Sequence, residues 1–222
     1  MHMAQTQTLA IVWVVIPIAV ALLVAGGVAA AIAVFGKKAK KARVALLGPR
    51  MAGKTTLGKY LESGTITKEY LETRGIEIHE ARLRMEELEL RVTISSPGGD
   101  RDQYGVWLDV ARHADVIVLM IDLSRLHDSP YVEEVLHAAR HIQNWRQTGD
   151  VDEDAAILVV GTHRDEIRGS GAAEWERSTL ALPAMKEVKR RLQPRKTLLL
   201  SLFETDGQHL ALFEIARAAG ER

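Results

Sequence analysis

The stretch Val44-Ala-Leu-Leu47-Gly48-Pro-Arg-Met-Ala-Gly53-Lys54-Thr55-Thr56 decides how the rest of the chain is read. A short apolar run, patterned like a buried strand, leads straight into G-x-x-x-x-G-K-[ST], and helical spacing follows. Glycines let such a loop wrap its amide N–H groups around phosphate oxygens, at the positive end of the following helix. Lys54 would then bring a compact positive charge to the β- and γ-phosphates, and Thr55 a hydroxyl ligand for Mg²⁺. Pro49, Arg50, Met51 and Ala52 complete the loop. The bland alternative is a glycine turn with an incidental lysine, and it does not call for strand, loop and helix in this order.

Outward from this loop, apolar runs alternate with helical patterns. Residues 43–47 read as a strand and 54–62 as a helix; 76–83 and 88–94 read as two strands, the second with strict apolar and polar alternation. Val116–Ile121 is a continuous apolar run, as in a central strand covered on both faces. A helix over 131–147, a strand over 156–160, a helical stretch over 174–192 interrupted at Pro183, a strand over 197–202 and a helix over 208–219 complete the series. Such alternation predicts an α/β domain with a mostly parallel sheet and helices on both faces.

Upstream lies a different kind of segment. From Leu9 to Phe35 no residue is ionisable, which is long enough for one transmembrane helix. A buried core helix would want a polar face, and a signal peptide wants its positive charge before the apolar run. Here the charge comes after it, as Lys37, Lys38, Lys40 and Lys41. The chain is thus divided into a tail (1–8), a membrane span (9–35), a basic linker (36–42) and a domain (43–222). The lysines predict a single-pass membrane protein with its N-terminus outside and the domain cytoplasmic, close to the bilayer. Ala21, Ala25, Ala29 and Ala33 recur at four-residue spacing; this can permit helix pairing, or arise by chance in an alanine-rich span.

Lysine plus arginine and aspartate plus glutamate are both 29, so the balance argues against a general nucleic-acid binder. Residues 1–43 hold five basic and no acidic groups, which leaves the remainder at a formal charge of −5. With no cysteine, disulfides, thiolate metal sites and thiol catalysis are excluded. The pair His137 and His141 has helical i, i+4 spacing that could suit a metal, but two surface histidines are the simpler reading. Trp107, Trp145 and Trp175 read as core or partner surface.

Further segments follow in order: Thr73-Arg-Gly75-Ile76 before a strand, Ser95-Ser-Pro-Gly98-Gly99 after one, Gly161-Thr162-His163-Arg164-Asp165, and Ser201-Leu202-Phe203. With the phosphate loop, they make residues 43–219 resemble the Ras-superfamily small GTPases, Arf/Sar-like at Thr55-Thr56. The layout of one N-terminal span joined to such a domain is similar to that of signal-recognition-particle receptor β subunits. The resemblance implies a P-loop NTPase fold with a six-stranded sheet, GTP/GDP and Mg²⁺ as cofactors, and a cytosolic effector or regulatory partner. It makes Lys54 and Thr73 catalytic, with Thr73 ligating Mg²⁺ beside Thr55 and sensing the γ-phosphate. Gly98 would be the γ-phosphate-sensing glycine of Asp-x-x-Gly, Ser95 would replace its acidic residue, and Gly99 would replace the usual glutamine. Asp100, Arg101 or Asp102 could substitute, or the segment could be an ordinary turn.

Asp165 stands for the aspartate that accepts from the guanine ring N–H and amine, a pattern adenine does not offer. Thr162 and His163 stand for the Asn and Lys before it, a variant similar to some Roc-type branches. Ser201, Leu202 and Phe203 stand for Ser-Ala-Lys, whose backbone faces the guanine oxygen. The altered motifs imply either a GTP/GDP switch with slow or partner-dependent hydrolysis, or a GTP-bound membrane scaffold that recruits a cytosolic partner.

Overall fold

Two strands, Val116–Asp122 and Ala156–Thr162, are buried along their whole length and form the middle of the structure. The computed structural model describes residues 40–63, 76–85, 88–99, 103–166 and 172–220. In chain order the elements are β1 (Lys40–Leu47), α1 (Lys54–Ser63), β2 (Ile76–Met85), β3 (Leu88–Pro97), α2 (Tyr104–Ala111), β4 (Val116–Asp122) and α3 (Ser129–Thr148). They continue with β5 (Ala156–Thr162), α4 (Ala172–Ala181), α5 (Pro183–Leu192), β6 (Lys196–Leu199) and α6 (Thr205–Gly220).

The strands form one six-stranded sheet in the order β2-β3-β1-β4-β5-β6. Only β2 runs antiparallel, paired with β3 from Ile76↔Pro97 to Met85↔Leu88; the other pairs are parallel. The order reverses about β1, which lies between β3 and β4, and open α/β sheets bind ligands beyond the carboxyl ends of the strands at such a point. The phosphate loop leaves β1 there.

Alternate residues of each strand feed two cores. Val44, Leu46, Ile94, Val118 and Val160 pack with Leu57 and Leu61 of α1 and with Ala211 and Ile215 of α6. Ala45, Leu47, Ile117, Leu119 and Val159 pack with Trp107 of α2, Val135 and Ile142 of α3, Trp175 of α4 and Val188 of α5. All three tryptophans singled out in the sequence are therefore core residues.

The α/β class, the mostly parallel sheet and the helices on both faces agree with the sequence reading. Pro183 ends the helical stretch where its missing N–H does no harm, at the first turn of α5. The last strand is shorter than the predicted 197–202, because Leu200–Leu202 turn away after Leu200 N bonds Gly161 O at 2.9 Å. At the other end β1 takes in Lys40 to Ala42, assigned above to the linker, because they pair with Leu90, Arg91 and Val92 of β3. The tail, the apolar run and most of the basic linker lie outside the described residues. Among the described residues no helix is long and apolar enough to cross a membrane.

Candidate functional site

The phosphate loop is anchored by its two ends. Gly48 adopts φ +146°, and a Cβ there would stand 2.3 Å from the Met120 carbonyl oxygen, so the turn out of β1 needs glycine. Lys54 is buried at the start of α1, where its Nζ donates to Gly48 O at 2.7 Å and to Pro49 O at 2.8 Å. The ammonium is thus held across the mouth of its own loop. Met51 carries φ +64° and is exposed, whereas Ala52 is fully buried beneath the loop. Thr55 and Thr56, in the first turn of α1, are half-buried.

The end of β3 meets this loop directly. Ser96 lies two residues beyond Ile94, on the sheet face covered by α1, while Ser95 points to the opposite face. Ser96 is 0 % exposed and its Oγ has no hydrogen-bond partner among the described residues. A buried hydroxyl left unpaired costs about 1–3 kcal/mol. Gly98 is buried, and its carbonyl accepts the Trp107 indole N–H at 2.7 Å, fixing the segment to α2. Gly99 lies against the phosphate loop itself: a Cβ there would stand 2.4 Å from Arg50 N and 2.6 Å from Pro49 C. Thr73 and residues 100–102 lie outside the described residues.

From the other side come the ends of β4, β5 and β6. Thr162 is fully buried, and its Oγ1 lies 3.2 Å from Ala52 O, 3.3 Å from Ile121 O and 2.8 Å from His163 Nδ1. One side chain therefore ties the phosphate loop to two strands. His163 takes φ +59° and turns its Nδ1 to 3.4 Å from Asp122 Oδ1. That carboxylate is buried and also accepts from Ser124 N at 3.0 Å and Ser124 Oγ at 2.6 Å. The Asp122 amide in turn donates to the Tyr131 hydroxyl at 2.7 Å, and burial pushes the Tyr131 phenol well above its usual range. Asp122, Ser124 and Tyr131 were missed in the sequence, where no motif includes them. A carboxylate closing a central strand was the available signal.

Asp165 stands exposed in the short 3₁₀ turn after β5. After β6, Ser201 is buried and accepts from Phe203 N at 3.2 Å, while Gln208 Nε2 holds Leu202 O at 2.7 Å. Leu202 packs under Gly53, whose Cβ would meet its side chain at 2.9 Å, and Phe203 is 42 % exposed at the rim. The loops after β1, β3, β5 and β6 thus converge on one edge of the sheet. His137 and His141 lie elsewhere, on α3, where His141 stacks on Tyr104 at 4.1 Å, so the pair is committed to an aromatic cluster. Among the described residues no group of three or more His, Asp or Glu side chains could hold a metal. An open depression of about 400 Å³, lined by residues including Arg146, Glu153 and Arg195, lies at the opposite end of β5 and takes no part in the site.

The loop after β1 is therefore flanked by Gly99 after β3, Thr162 at the end of β5 and Leu202 after β6. No curated protein matches the chain. A family profile, that of the ADP-ribosylation factor family, matches residues 28–205. The sheet order, the phosphate loop and that match over most of the sequence agree: the chain belongs to the ADP-ribosylation factor family, small GTPases of the Ras superfamily that bind guanine nucleotides and act as switches.

Proposed function

We propose that the protein is a membrane-anchored GTP/GDP switch with slow intrinsic hydrolysis, its domain on the cytoplasmic side and a cytosolic effector as its partner. The observation that carries the nucleotide reading is the convergence of Lys54, Gly99, Thr162, Asp165 and Ser201–Phe203 at the carboxyl edge of one sheet. Lys54 would neutralise the β- and γ-phosphates, and Asp165 would accept from the guanine ring N–H and amine. The exposed Phe203 would flank the base.

Two frames fit Asp-x-x-Gly in this sequence, one running from Ser95 to Gly98 and one from Ser96 to Gly99. We favour the second, which revises the expectation for Ser95, Gly98 and Gly99. Ser96 has a buried oxygen on the α1 side with no hydrogen-bond partner among the described residues, and Gly99 touches the phosphate loop, whereas the Gly98 carbonyl is spent on Trp107. In this frame Asp100 occupies the place of the usual glutamine. The Ser96 hydroxyl suits a water of a Mg²⁺ shell, with Thr55 as direct ligand. The ion would neutralise phosphate charge; a neutral hydroxyl grips it less than a carboxylate. Weak metal coupling and slow turnover follow together.

Membrane anchoring rests on the 27 residues from Leu9 to Phe35 and the lysines after them. Anchored there, the domain hangs from the start of β1. Eight strand residues, about 25 Å, then separate the bilayer side from the nucleotide edge, which faces the cytosol. The deciding experiment is single-turnover GTP hydrolysis by the full-length chain in nanodiscs against Lys54→Ala. A rate well above that control supports the switch. A control-level rate with tight GTP binding makes the protein a GTP-bound scaffold instead.

A further inference from the structure

Arg50 is the charged residue among the four positions between Gly48 and Gly53, and it is exposed. Its backbone is nevertheless held in place. Gly99 presses on it so closely that a Cβ would stand 2.4 Å from Arg50 N and 2.8 Å from Arg50 Cα. On its other side, the carbonyl of the preceding residue, Pro49, holds the Lys54 ammonium at 2.8 Å. In the nucleotide reading, Lys54 and Gly99 are the two groups that address the γ-phosphate. Arg50 therefore leaves the loop at the γ-phosphate end, on the rim between the phosphate loop and the segment after β3.

We propose that Arg50 is a catalytic residue supplied in cis, its guanidinium stabilising the charge that spreads over the γ-phosphoryl oxygens during GTP hydrolysis. The inference rests on the guanine-nucleotide reading of the site. In the reaction the water oxygen bonds to the γ-phosphorus as the bond to the β–γ bridging oxygen breaks. GDP leaves with that electron pair, and the water protons pass to the phosphate and to solvent. Arg50 exchanges no atoms. It lowers the barrier through hydrogen bonds that strengthen as the equatorial oxygens gain charge, and its planar fork can meet two of them at once.

The test uses the full-length protein with three readouts: GDP affinity, single-turnover GTP hydrolysis, and capture of aluminium fluoride by the GDP complex with no other protein present. Arg50→Ala should slow hydrolysis roughly 20–30-fold, the margin a cis arginine gives over its absence. GDP affinity should move by less than about threefold, since the contact belongs to the transition state. Aluminium fluoride should be captured by the parent and not by Arg50→Ala, and Arg50→Lys should recover only part of the rate. Hydrolysis by Arg50→Ala as fast as by the parent, or a parent that does not capture aluminium fluoride, overturns the inference. Failure of the parent to bind GDP is a separate result, and it refutes the nucleotide reading on which the inference stands.

Discussion

Replacing Ser96 by aspartate should make GTP binding strongly dependent on Mg²⁺, and replacing Ser95 should not. Ser96 is fully buried on the face of β3 that α1 covers, and its Oγ has no hydrogen-bond partner among the described residues. A carboxylate there with no metal would be a buried unpaired charge, which costs about 3–5 kcal/mol. Without nucleotide, Ser96→Asp should therefore melt well below the parent. With Mg²⁺ and GTP the carboxylate gains a partner, and outer-shell groups of this kind change metal affinity about 10–100-fold, or roughly 1.4–2.7 kcal/mol. Ser96→Ala is the converse and removes a hydroxyl that has no partner among the described residues. It should stabilise the nucleotide-free protein by up to about 1 kcal/mol and weaken Mg²⁺ coupling further. Ser95→Asp, on the opposite face, should leave the coupling at the parental value. The assay is calorimetric titration of GTP in Mg²⁺ and in chelator, with thermal melts of each variant. Gain of coupling in Ser95→Asp, with none in Ser96→Asp, would refute the frame that places Gly99 at the γ-phosphate.

Other positions give sharper structural outcomes. Gly48→Ala combines φ +146° with a Cβ 2.3 Å from a main-chain oxygen, so it should cost about 3 kcal/mol or more and lower Tm by roughly 6–12 °C in a thermal melt. Trp107→Phe keeps the ring in the core but removes the 2.7 Å bond to Gly98 O. A loss of about 1 kcal/mol is expected, read as a shifted denaturation midpoint with unchanged slope. For His141, burial, and then the charges of His137 and Arg140, lower the pKa below its ordinary 6.5. The unfolded chain then takes up the proton first, so this contribution to stability is whole above pH 6.5 and drains as pH falls through the folded value. His141→Gln should flatten the acid side of the stability profile, measured by denaturant titration from neutral pH downward.

Much of the fold is legible in the sequence because the central strands announce themselves. Val116–Ile121 and Ala156–Val160 are apolar on both faces, and only a doubly covered sheet accommodates that. The helix Tyr104–Ala111 is not legible: its eight residues are too short for a periodic signal, and tertiary packing of Trp107 and Ala111 holds it. The start of β1 was misplaced for a related reason, since Lys40 and Lys41 look like linker until β3 pairs with them. In the site, the phosphate loop is fully written in residues 48–55, because backbone shape and chemistry there need fixed residue types. The Ser95–Gly99 segment is not, because two serines and two glycines fit one motif in two frames and only side-chain direction separates them. Thr162 could be placed from its motif, but its bond toward Ala52 across the sheet could not, since such a contact joins residues far apart in the chain. Asp122 and Ser124 close the same edge through a local turn that carries no motif of its own.

The central claim is recognition of guanine nucleotide at the carboxyl edge of this sheet, and competition titration tests it most directly. The full-length protein would be titrated with GTP, GDP and ATP, alongside Lys54→Ala and Asp165→Ala. Tight binding of GTP and GDP with ATP excluded is predicted, with affinity lost in Lys54→Ala and the guanine preference lost in Asp165→Ala. Equal binding of ATP by the parent, or an unchanged preference in Asp165→Ala, would contradict the account.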